Sequence, residues 1–192
     1  RRLLDGFAQI VAVIAVCGLV QFALQFLTGP QLAFPIESHV PPALKVALFN
    51  PLATLEYGSP YYRANGIFML EPSFFSQFVA VGMVVEMLGR MRWRRLGLLA
   101  AAILVSYSGT GIVLVAACVP LVLLARGRWD LLLIGAALAL VALAVARYAE
   151  VVFVRVFFAR ATEFNATGSS GFARFVGGFY LFEQFLWPQP WR

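Results

Sequence analysis

Residues 7–27 run for 21 positions without a charged side chain. At ~1.5 Å per residue a helix of that length covers ~30 Å, the thickness of a bilayer's hydrocarbon core. Apolar runs recur at 73–88, where Glu86 is the one charge, and, uncharged, at 96–125 and 131–146, with most charges gathered in short clusters between the runs. Of the 192 residues, 61% are hydrophobic and 12% charged, and mean hydropathy is +0.84. One soluble core of this size does not hide that much apolar surface. The expectation is an all-α, polytopic membrane protein with one membrane domain, 1–192. About five transmembrane helices are expected, at 7–27, 73–88, 96–107, 112–125 and 131–146.

The charges set the orientation. Fourteen of the 15 basic residues are Arg, and Lys45 is the exception. Arg90, Arg92, Arg94 and Arg95 surround Trp93, and Arg126 and Arg128 follow the third apolar run. Clusters of this kind mark cytoplasmic membrane loops, so the net charge of +6 does not indicate a nucleic-acid surface. Glu86 precedes Arg90 by four residues, the favourable order for a helical ion pair. Cys17 and Cys118 fall inside apolar runs and read as small buried residues with no disulfide or metal role.

The 96–125 run is 30 residues long, too much for one ordinary span, and Ser106-Tyr107-Ser108-Gly109-Thr110-Gly111 interrupts it. A single kinked helix would put the two Arg clusters on opposite sides. A hairpin of two short helices puts them on one side, as the excess of positive charge on the cytoplasmic side requires. The hairpin is the expectation, with Ser108 near the outer face and Pro120 bending the second arm. On this topology residues 28–72 and 147–192 are outer-face loops. Arg63, Arg155, Arg160 and Arg174 then lie against the usual bias and need an anionic partner. Guanidinium meets phosphate through two parallel hydrogen bonds.

Residues 28–72 are rich in Pro and Gly, which forbids a long helix there. The segment re-enters the apolar region through Tyr61 to Ser73, with Arg63, a flexible Gly66 and Glu71-Pro72. Pro suits the first turn of a helix, so one is predicted to begin near Pro72. Glu71 then sits where free N–H groups favour a carboxylate, and two readings stand: a helix cap, or an acid or base. Gln21 and Gln25 share a face of the first run and are expected to point to neighbouring helices. Toward the C-terminus, Ser169-Ser170-Gly171 opens a predicted helix. Phe172, Phe175, Phe179, Phe182 and Leu186 lie on one arc of it, with Arg174 off the arc. That helix packs its stripe in a core or lies in the membrane interface. Its free N–H groups and the guanidinium make Arg174 a candidate phosphate clamp, or else a partner of Glu163.

Three segments carry a resemblance. Arg63-x-x-Gly66-x-Phe68-x-x-Glu71-Pro72-Ser73, the Ser106–Gly111 segment, and Ser169-Ser170-Gly171-Phe172-Ala173-Arg174 with Trp187-Pro188 occur in one order and fall on one expected side. Together they resemble the O-antigen ligase and O-antigen polymerase family. Gly109 stands where relatives often have Arg. The family's His-Asn motif would follow Arg192, and His39 lies in the wrong loop to replace it and reads as a solvated side chain. The chain, which begins Arg-Arg without Met, therefore reads as part of a longer protein.

The resemblance implies a multi-pass enzyme of the bacterial inner membrane, acting at its outer face. It would move a glycan from a polyprenyl-diphosphate donor to a second glycan, a lipid A core or another hydroxyl. Arg63, Arg174 and Glu71 are the implied catalytic residues, and Arg160 and Ser108 the substrate-binding ones. No cofactor is expected, and no Asp-x-Asp or His cluster offers a metal site. The partners are lipid-linked glycan, acceptor and bilayer. The rival class is a transporter or flippase component without chemistry, which the Ser106–Gly111 break favours and the nearly uncharged span interiors oppose. A structural subunit of a larger assembly is the third option.

Overall fold

The computed structural model describes residues 2–36, 41, 52–55, 58–148 and 176–187. Among them the protein is all-helical. The elements are α1 (Arg2–Thr28), α2 (Pro30–Ala33), α3 (Pro72–Leu88), α4 (Trp93–Ser106), α5 (Gly109–Ala125), α6 (Trp129–Tyr148) and α7 (Gly177–Leu181). By length and composition α1 is the one helix among the described residues able to cross a membrane. The apolar helices α3 and α5 are shorter, as is the apolar part of α6, Trp129–Val145.

Local sequence explains the boundaries. Pro72 opens α3 behind an extended Glu71, because its missing N–H would have had no partner there. Tyr107 ends α4 in the left-handed conformation, and an extended Ser108 leads into α5. Pro120 lies inside α5, whose helical run continues through it. The last described turn, Phe182–Leu186, is a wide π turn, which a 3.6-residue period does not foresee. Phe179 and Phe182 are exposed, while Phe172, Phe175 and the Ser169-Ser170-Gly171 start lie outside the described residues.

α3 is the hub. It packs on α1, α4 and α5, and α1 also packs on α4. The core gathers Val11, Ala15, Phe75, Val79, Ala80, Leu99, Ala102 and Ile103. Contact is close because small residues permit it. A Cβ on Gly111 would lie 2.6 Å from the Ser76 Cβ and 2.8 Å from its carbonyl oxygen, so α3 and α5 meet there backbone to backbone.

α4 and α5 form the expected hairpin. Both Arg clusters lie at one end of the bundle, where Arg126 Nη2 donates to the Leu88 (2.6 Å) and Gly89 (3.0 Å) carbonyls. The expected Glu86–Arg90 pair does not form. α3 ends at Leu88, so Arg90 is off the helix and approaches Asp5 at 4.0 Å instead. Glu86, buried, takes Arg92 through two hydrogen bonds of 2.8 Å, with Arg95 at 3.7 Å. Cys17 and Cys118, expected to be buried, are instead intermediate in exposure.

Candidate functional site

The other end of the bundle holds the α4–α5 break and the segment from Tyr61 to Ser73. Thr54 and Tyr62 form an isolated antiparallel bridge, flanked by Leu55 N–H to the Tyr61 carbonyl and Arg63 N–H to the Ala53 carbonyl, each 2.9 Å. Ala64 N–H donates to the Val105 carbonyl at 3.2 Å, which ties the segment to the last turn of α4. On its opposite side lie Gln21 and Gln25 of α1, 1% and 2% exposed. Gln25 pairs with Tyr62, accepting its N–H at 2.8 Å and donating to its carbonyl at 3.0 Å. Gln21 Oε1 accepts the N–H groups of Asn65 and Gly66, both at 3.1 Å, and its Nε2 donates to Asn65 Oδ1 at 2.8 Å.

These contacts correct two expectations. Gln21 and Gln25 hold loop backbone rather than neighbouring helices, because 62–66 has no continuous strand partner and needs other acceptors. Nor is Gly66 a flexible joint. Its φ is +72°, and a Cβ there would lie 2.6 Å from the Phe75 ring, so only glycine fits.

Arg63 sits between the two glutamine contacts. Its Nη2 reaches the Leu55 carbonyl at 3.5 Å, the outer limit of a hydrogen bond. Its Nε is buried and has no hydrogen-bond partner among the described residues. Burial pushes the guanidinium down to about 10, below its ordinary range, so it stays charged at neutral pH. Arg63 is thus a half-buried cation with a donor left over among the described residues.

Glu71 and Ser108 are linked through the start of α3. Glu71 Oε2 accepts the Ser73 hydroxyl at 2.8 Å, and its side chain makes no hydrogen bond to the helix's free N–H groups. Ser108 Oγ lies 2.8 Å from Thr110 Oγ1, which lies 3.3 Å from Ser76 Oγ. Ser76 donates to the Ser73 carbonyl at 2.9 Å. The starts of α3 and α5 are thus stitched together by hydroxyls beside the segment that carries Arg63. Arg63, Glu71 and Ser108 therefore gather at one end of the bundle. Arg160 and Arg174 lie outside the described residues, as do Arg155 and His39. Among the described residues no group of three or more His, Cys, Asp or Glu converges.

Sequence reasoning missed Ser76 as a member of this end, and missed the contacts of Asn65 and Thr110. Their one signal is polarity in an apolar setting, which does not say what they face.

No curated protein and no solved structure matches the chain. A family described as WcaD colanic acid polymerase matches residues 2–190, nearly the whole length. That agrees with the O-antigen polymerase and ligase resemblance carried by Arg63 to Ser73 and by the α4–α5 break. The chain belongs to the WcaD colanic acid polymerase family, whose members are membrane proteins.

Proposed function

We propose that the protein extends a polysaccharide at the outer face of the bacterial inner membrane, taking glycan from a polyprenyl-diphosphate donor. The acceptor is a hydroxyl of a second lipid-linked glycan. The acceptor oxygen bonds to the donor's anomeric carbon. The bond from that carbon to the diphosphate oxygen breaks, and the lipid diphosphate leaves with the electron pair. Arg63 meets the negative charge that grows on this leaving group. A cation held in a poorly hydrated place does so without reorganising. Glu71 is the candidate to take the acceptor's proton, and Ser108 to contact substrate. Arg174 is the second phosphate clamp and Arg160 a weaker contact.

The observation that carries this reading is the buried Nε of Arg63, unpartnered among the described residues, in a chain of a polysaccharide polymerase family. The proposed topology has five spans, α1 and α3 to α6, with the N-terminus and both Arg clusters in the cytoplasm. Residues 28–72 and 147–192 face outward. Of these five helices α1 alone is long and apolar enough by itself to cross ~30 Å, so the shorter ones would be re-entrant or cross a locally thinned bilayer. α1, with 27 residues, measures ~40 Å, whereas α4 and α5, with 14 and 17, measure ~21 and ~26 Å. A hairpin that short ends below the outer surface, in a recess that the Arg63 segment fills.

Chain elongation by the full-length protein on a polyprenyl-diphosphate-linked repeat unit tests the reading. Arg63→Ala is expected to lose at least ~100-fold in kcat at normal expression. Arg174→Lys should lose more than Arg160→Ala, because Lys cannot make the two-bond fork. Wild-type elongation by Arg63→Ala would overturn the assignment.

A further inference from the structure

Six consecutive main-chain N–H groups, Tyr62 to Ile67, all have acceptors, although only Tyr62 belongs to any bridge. Three of those N–H groups, of Tyr62, Asn65 and Gly66, donate to the side-chain oxygens of Gln21 and Gln25. We propose that Gln21 and Gln25 are the positioning residues for Arg63: they fix the register of 62–66 against α1, and so the place where its guanidinium meets an anion. The proposal rests on the reading of Arg63 as the diphosphate contact.

The Arg63 side chain has little anchorage of its own, one 3.5 Å contact and a buried Nε without a partner among the described residues. A long side chain so weakly held takes its position from the backbone beneath it. That backbone is clamped on both sides of Arg63, at Tyr62 by Gln25 and at Asn65 and Gly66 by Gln21. The amide is suited to the task. Gln25 must accept from an N–H and donate to a carbonyl of the same residue, as a neighbouring β-strand would. A carboxylate lacks the donor, and an aliphatic chain lacks both. Four residues apart on α1, the two amides share one face and engage a stretch of backbone as a rigid ruler. Displacing a group that acts at the transition state by ~1 Å costs ~100-fold in rate.

The test is a double-mutant cycle in full-length protein, reading kcat per folded molecule on the lipid-diphosphate-linked repeat unit. Gln25→Leu is expected to lower kcat ~10- to 100-fold with a smaller change in KM. Gln25→Glu, which keeps the acceptor and the shape, should fall less, and it serves if Gln25→Leu does not accumulate. Gln9→Leu, at an exposed position of the same helix, should behave as wild type. In an Arg63→Lys background, which is expected to retain measurable activity because the charge is kept, either Gln25 change should add almost nothing, because it acts through the residue already altered. If Gln25 variants keep wild-type kcat per folded molecule, or if their losses multiply fully with that of Arg63→Lys, the positioning role is wrong while Arg63 stands. If Arg63→Lys and Arg63→Ala are both fully active, the reading of Arg63 itself has failed.

Discussion

Arg63 is where local physics and proposed function meet. A guanidinium pulled down to about 10 by burial is less favourable in the folded chain than in the unfolded one. The folded value lies below the unfolded one, so folding carries the cost of the cation throughout pH below about 10. The cost fades as pH climbs from there toward the ordinary guanidinium range. A residue kept for stability would not carry this penalty, whereas one kept to meet an anion would. Arg63→Met is therefore expected to raise stability by about 1–2 kcal/mol at pH 7 while abolishing elongation. The gain should shrink above pH ~10. Thermal unfolding of the purified variant checks it, and a lower midpoint than wild type would make Arg63 a structural residue.

Among the elements, the α4–α5 hairpin decides the topology. Its second arm, α5, is held to α3 at one end by Arg126 on the Leu88 and Gly89 carbonyls and at the other by the Ser108, Thr110 and Ser76 hydroxyls. Ser108 and Arg128 thus lie at opposite ends of one short arm. Ser108 itself is buried, so in intact cells Phe68→Cys, exposed in the segment at the same end, is expected to react with a membrane-impermeant thiol reagent, and Arg128→Cys only after permeabilisation. Both would be placed in a background lacking Cys17 and Cys118, since each is half-exposed. Labelling of Arg128→Cys from outside would rule out the proposed orientation.

For the molecule as a whole, apolar periodicity and Arg clustering made the helices legible. Residues 96–107 and 112–125 were expected as hairpin arms, and α4 and α5 occupy those places. Pro72 marked the start of α3 because its missing N–H has one natural position. What stayed hidden was long-range pairing. Glu86 reads as a partner for Arg90 by spacing alone, but the helix stops at Leu88 and Arg92 turns back to take it. Gln21 and Gln25 announce that a polar partner exists, but not that it is a backbone 37 to 45 residues away. Gly66 looks free in sequence and is confined by a ring that only the fold brings near. At the site, the sequence singles out Arg63 through the topology it leads one to expect, while the Gln21 and Gln25 contacts on either side of it stay hidden.

The account stands on one event, a lipid diphosphate meeting Arg63. Titrating undecaprenyl diphosphate into the full-length protein in nanodiscs, wild type beside Arg63→Met, measures it directly. Charge-assisted hydrogen bonds of about 1.5–3 kcal/mol would be lost, so affinity is predicted to fall ~10- to 100-fold in the variant. Equal dissociation constants for the two proteins would contradict the account.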